Sequence, residues 1–196
     1  MALQSRSCLK DAKASFCYDK TMFDRDTYIV LELPEPIASM VRKIRAEQGD
    51  DFQVSMPTEI TVVGSSGVGC IAQDQDPDEL FKVIDEIAAN TPPIIVSFDK
   101  VQRFPGTDIV VMKLTDDTLV RSLHQRFVDS GIKFQVTAFP YEPHCTLRSR
   151  TPLTDKEMEK LSKLKIEGSF TLRTLSVYTM PPPGRLLYTA ELSRNK

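Results

Sequence analysis

The sequence predicts an α+β fold of about eight strands and four helices. Three observations carry this. β-rich runs bounded by proline or glycine recur along the whole chain, four stretches between them carry helical apolar spacing, and the two element types alternate too irregularly for a doubly wound parallel sheet.

The first strand is 27–33 (TYIVLEL), stopped by Pro34, because proline cannot extend a strand ladder. Ile37, Met40, Val41 and Ile44 then fall at i, i+3, i+4 and i+7, the face of an amphipathic helix that Gly49 ends. Residues 58–63 (TEITVV) form a second strand before the loop GSSGVG. Leu80, Val83, Ile84 and Ile87 repeat the helical spacing behind an acidic first turn, which predicts a helix over 77–89. Strands at 94–98 and 109–114 make a hairpin around Pro105-Gly106. Thr115 can cap a third helix with Leu119, Leu123 and Phe127 inward and Gly131 at its end. Residues 133–139 and 144–147 are short strand candidates. Thr154 to Glu157 reads as a capping box opening a short helix with Met158, Leu161 and Leu164 inward. The stretches 170–178 and 186–192, separated by Pro181-Pro182-Pro183-Gly184, form a closing hairpin.

At 196 residues the chain is one ordinary domain. With 41% hydrophobic and 27% charged residues it is neither disordered nor fibrous. Twenty-five Lys and Arg against 27 Asp and Glu give −2, which argues against a broadly basic nucleic-acid coat and leaves room for a local basic groove. No window approaches the ~18 apolar residues of a membrane helix, and the first 25 residues lack a signal core. A cytoplasmic protein is expected, with no membrane partner, residues 1–25 as an N-terminal extension and 26–196 as the domain. Cys8, Cys17, Cys70 and Cys145 form no C-x-x-C pair and have no cluster of histidines nearby, so reduced, mostly buried thiols are expected rather than a metal site. The even count would permit a Cys8–Cys17 disulfide, but nothing signals an oxidising compartment.

The chain has two histidines. His124 sits among charged neighbours in SLHQRF and reads as a partly exposed structural side chain. His144 opens a strand in P-H-C-T-L after the aromatic, proline-rich FPYEP. Side chains two apart share a strand face, so His144 and Thr146 point together while Cys145 and Leu147 point away. A histidine and a threonine on one face supply a proton-transfer group and a neutral donor to one anionic oxygen. Eighty-five residues earlier, E-I-T-V at 59–62 offers a second polar-x-Thr pair in a strand, so the halves read as a degenerate duplication.

On these residues the sequence resembles the 2H phosphoesterase superfamily, which includes 2′-5′ RNA ligase-like proteins and 2′,3′-cyclic phosphodiesterases. Its mark is a pair of H-x-T-x motifs in strands facing across a cleft. The second stands here as His144-Cys145-Thr146-Leu147, followed by Arg148; the first keeps Thr61-Val62-Val63-Gly64 but carries Glu59 in the histidine position. The resemblance runs from about 26 to 193. It implies a bilobal, pseudo-two-fold α+β fold with antiparallel sheets lining a central cleft and helices outside.

It also implies metal-independent acid–base catalysis without a cofactor, on a nucleotide or RNA terminus bearing a phosphodiester such as a 2′,3′-cyclic phosphate. His144 and Glu59 are the implied catalytic pair, and Thr61, Thr146 and Arg148 the implied phosphate ligands. Tyr141 and Tyr178 are candidate base-stacking residues, with Phe139 and Arg103 as further cleft candidates. An ionised Glu59 would repel a phosphate by ~4 kcal/mol at 4 Å and an effective dielectric of 20. Glu59 is therefore either a base or, if its pKa is raised, an acid. The alternative is a homologue that binds such ends without turnover. A monomer is the default.

Overall fold

The computed structural model describes residues 22–193. Most of the expected N-terminal extension, with Cys8 and Cys17, lies outside the described residues. Within them the chain runs β1 (Asp26–Glu32), α1 (Ile37–Glu47), α2 (Asp51–Ser55), β2 (Glu59–Val63), α3 (Pro77–Ala89), β3 (Ile94–Arg103), β4 (Val110–Leu114), α4 (Thr118–Val128), β5 (His144–Arg148), α5 (Asp155–Ser162), β6 (Ser169–Leu172), β7 (Thr174–Met180) and β8 (Leu186–Glu191). The strands form two four-stranded sheets, β2-β1-β7-β8 and β5-β4-β3-β6, antiparallel throughout. This is the expected α+β fold of two lobes.

Local chemistry sets the element ends. Asp50 caps α2 by accepting from Gln53 N, Asp76 caps α3 by accepting from Glu79 N with Pro77 in the first turn, and Thr154 and Glu157 form the expected capping box of α5. Ile29, Leu31, Ile60, Val62, Leu175 and Val177 join the buried core with Leu80 and Ile84 of α3. Of the helices, α3 packs on β8 and α5 on β3, whereas α1 packs on β5 and α4 on β2. The helix that follows β1 thus supports the second motif strand, and the helix that follows β4 supports the first.

Several elements differ from the sequence expectation, each for a physical reason. The stretch 170–178 is two strands, not one: β6 pairs with β3 in one sheet, the chain passes between lobes at Arg173, and β7 pairs with β1 in the other. Residues 133–139 make only the isolated bridge Ile71–Phe134, because their backbone is bonded to the loop after β2, with Gln135 N on Cys70 O and Phe139 O accepting from Gly67 N. Thr115 does not cap α4. Its N–H and hydroxyl bond to Ser97 O and Phe98 O of β3, so the helix starts three residues later, and its buried face becomes Val120, Leu123, His124 and Phe127 with Leu119 left 57% exposed. In α1 the buried stripe is Ile37, Ala38, Val41 and Arg45, while Met40 faces out. The short α2 has no counterpart in the sequence expectation, since a five-residue helix carries no periodicity.

Both motif strands, β2 and β5, are edge strands. They pack against each other without sharing a sheet. Their facing edges therefore need donors from elsewhere. Arg45, 1% exposed, supplies several: Nε donates to Thr146 O (3.0 Å) in β5, and one terminal nitrogen donates to Gln53 O (3.2 Å), Met56 O (3.0 Å) and Pro57 O (2.9 Å) on the approach to β2. Asp50 holds the other end of β5 by accepting from Ser149 N (2.7 Å) and Arg150 N (2.9 Å). Arg45→Met keeps the apolar stem but removes these donors. Urea unfolding should show a loss of at least about 3 kcal/mol at unchanged m, since buried unsatisfied groups cost ~1–3 kcal/mol each.

Candidate active site

Strand alternation places Glu59 and Thr61 on one face of β2 with Ile60 fully buried behind, and His144 and Thr146 on one face of β5 with Cys145 fully buried behind. On β2 the Thr61 hydroxyl donates to Glu59 Oε2 (3.0 Å). On β5 no described residue bonds the Thr146 hydroxyl. The loop before β5 reaches β2 directly, where the Tyr141 hydroxyl donates to Thr61 O (2.8 Å). Cys145 feels both Arg45 and Glu59, and burial pushes its thiol up to about 11, which leaves it protonated and no nucleophile.

The two ionisable groups are displaced in opposite directions. Glu59 is 8% exposed, and burial raises its pKa to about 7 against the opposing pull of the Arg45 guanidinium and the Thr61 hydroxyl. Burial also lowers His144 below 6.5, aided by the Lys113 ammonium and opposed by the bond to Glu142 O. His144 Nδ1 lies 2.5 Å from Glu142 O, and a carbonyl only accepts, so Nδ1 carries the proton and Nε2 keeps its lone pair. Phe104 sits edge-on to the imidazole at 5.0 Å between centroids. Near neutrality one strand thus carries a carboxyl that is still partly protonated and the other an imidazole whose Nε2 can take a proton.

The remaining candidates divide. Arg148 is 4% exposed, and its guanidinium is bonded to Thr151 O, Pro152 O and Glu157, so it braces the start of α5 and is not presented to a phosphate. Arg103 is likewise engaged, by Asp108 (2.6 Å) and Thr107 O. Tyr141 is no open platform, since His124 stacks on its ring at 3.7 Å between centroids and 10° between planes. Tyr178 is half-buried on the Glu59 side of its sheet, its hydroxyl donating to Glu32 Oε1 (2.9 Å), and its ring remains a stacking candidate. Phe139 is 70% exposed beside the loop after β2. Two surface hollows of about 240 and 300 Å³ lie elsewhere and contain none of these residues.

The sequence singled out neither Arg45 nor Glu32, and His124, expected to be partly exposed, is buried. Arg45 and His124 each interrupt the apolar stripe of a helix, four residues after Val41 and Val120, and a polar residue there is the signal that marks them. Glu32 stands opposite Glu59 in the β1–β2 register and accepts from both Ser176 and Tyr178. Only the pairing reveals it.

The family model of the 2′-5′ RNA ligase superfamily matches residues 33–180. The chain belongs to that superfamily. Solved structures share the fold of this superfamily member at low identity. TT0787 of Thermus thermophilus aligns with a TM-score of 0.64 and 13% identity, covering 87% of this chain and all of that one. E. coli LigT complexed with 3′-AMP gives 0.55 and 15%, covering 87% and 99%, and LigT complexed with phosphate gives 0.54 and 13%, covering 87% and 98%. No curated protein matches the sequence. Among the described residues, no helix is long and apolar enough to cross a membrane and no His/Cys/Asp/Glu group could hold a metal ion.

The raised Glu59 makes stability pH-dependent. Below its unfolded pKa of 4.5 the carboxyl is protonated in both states and costs nothing; stability is lost as pH climbs from there through the folded value of about 7. Glu59→Gln, which cannot ionise, should match wild type at pH 4 and exceed it by about 3 kcal/mol at pH 8.5, at 1.36 kcal/mol per unit. Chemical denaturation at the two pH values measures the difference.

Proposed function

We propose that this protein is a phosphoesterase that opens a nucleotide or RNA-end phosphodiester, with a 2′,3′-cyclic phosphate as the probe substrate, by acid–base chemistry between His144 and Glu59. The observation that carries the reading is the placement of two polar-x-Thr pairs on adjoining strands, one bearing a free imidazole nitrogen and the other a buried carboxyl whose pKa is raised to about 7. Crystals of LigT with 3′-AMP and with phosphate, in the same fold, support the choice of ligand.

In this reading Thr61 and Thr146 contact the phosphate oxygens. His144 Nε2 takes a proton from water as its oxygen bonds to phosphorus. The ester P–O bond breaks, and the Glu59 carboxyl gives its proton to the departing ribose oxygen. Proton exchange with solvent resets both groups. A neutral Glu59 avoids the repulsion that a carboxylate would impose, and the phosphate charge itself raises the Glu59 pKa further.

The rate requires neutral His144 and protonated Glu59. It should rise with pH through the lowered His144 pKa and fall as pH passes about 7, giving a bell in kcat/KM. Glu59→Gln should lower kcat by about 10²- to 10⁴-fold and remove the descending limb, and His144→Ala should abolish turnover. Hydrolysis of a 2′,3′-cyclic mononucleotide by wild type and both variants across pH 4.5–9 decides it. Full activity in Glu59→Gln rules out the acid assignment. Saturable binding without product leaves a cleft that only binds.

A further inference from the structure

Against the first motif strand lies an aromatic stack that neither motif includes. Tyr141 stands in the loop before β5, and its ring lies against His124 of α4. Each member holds one carbonyl of β2: the Tyr141 hydroxyl donates to Thr61 O (2.8 Å) and His124 Nδ1 to Val62 O (2.7 Å). β2 is the edge of its sheet, and its register with β1 shifts here, with Val30 opposite Thr61 and Ile29 opposite Val63, so that Val62 has no partner in the ladder. Two consecutive carbonyls of β2 are thus bonded by side chains.

The surroundings fix the stack from two further sides. Arg121, paired with Asp117 (2.8 Å), donates to Tyr141 O (2.7 Å) and lies 5.9 Å over the Tyr141 ring. Gly67, at φ +74°, packs so closely that a Cβ there would stand 2.5 Å from His124 Cε1 and 3.1 Å from Tyr141 Cβ. From Tyr141 the chain is short and pinned onward. Glu142, the next residue, fixes the His144 tautomer through its carbonyl and pairs its carboxylate with Lys113 (3.0 Å).

We infer that His124 and Tyr141 are positioning residues: the stack locks the Thr61 backbone at a set distance from His144, so that both motifs address one phosphate. The inference rests on the reading that Thr61 and His144 share that ligand. The motif strands belong to different sheets, so backbone pairing cannot hold this distance. Misplacement by about 1 Å costs on the order of 10²-fold in rate.

Tyr141→Phe keeps the ring and deletes the hydroxyl; His124→Phe keeps a stacking ring and deletes the donor. Each is assayed for kcat and KM on a 2′,3′-cyclic mononucleotide, for thermal stability, and by NMR for the Thr61 amide and the His144 ring nitrogens with and without inorganic phosphate. The expected result is a kcat fall of about 10- to 100-fold with KM changed less than about threefold, and a displaced His144 response to phosphate. If Tyr141→Phe does not fold, His124→Phe carries the same expectation. A lower melting temperature with unchanged kcat and unchanged His144 signals makes the stack structural only and overturns the inference. Should wild type neither bind phosphate nor turn over the nucleotide, the phosphoesterase reading fails by itself. The stack is then judged on whether Tyr141→Phe moves the Thr61 and His144 signals together, and movement at Thr61 alone overturns it.

Discussion

Two edge strands, β2 and β5, meet without pairing, and side chains supply the hydrogen bonds to several carbonyls in and beside them. Arg45 does this on the approach to β2 and in the middle of β5, and His124 and Tyr141 do it within β2. The crossed packing of α1 on β5 and α4 on β2 follows from the same need, since each helix brings a polar side chain to the strand of the other lobe. A backbone ladder would tolerate a local slip by breathing. A single buried guanidinium that spans both lobes does not, because each of its donors has a fixed carbonyl to meet.

That closed junction also sets the charge states of the candidate site. Excluding water from around the strands disfavours whichever form carries charge, so the carboxyl moves up and the imidazole moves down. The Arg45 guanidinium tempers the effect on Glu59 without cancelling it. One physical cause, desolvation at the strand junction, separates an acid from a base between two groups that would otherwise both be charged at pH 6.

Much of this was legible in the sequence because strand alternation is strict. Glu59 with Thr61 and His144 with Thr146 could be assigned to shared faces, and Ile60 and Cys145 to the core behind them, from spacing alone. The two-sheet architecture was implied by the family resemblance that these motifs carry. What failed were long-range effects. Arg148 reads as a strand-end cation until its carbonyl partners at Thr151 and Pro152 are seen, and Tyr141 reads as a stacking surface until His124 is found against it. The break at Arg173 had no local signal either, because β6 and β7 are both apolar runs and only their partners, β3 and β1, tell them apart.

The account depends on Glu59 and His144 carrying opposite protonation at one pH. NMR titration of the Glu59 carboxyl carbon and the His144 ring nitrogens in a single sample measures this directly. The predicted result is a Glu59 midpoint near 7, a His144 midpoint below 6.5, and Nδ1 as the protonated nitrogen of the neutral ring. A Glu59 midpoint at the ordinary 4.5, with His144 titrating above it, would leave both groups charged near pH 5 to 6 and contradict the account.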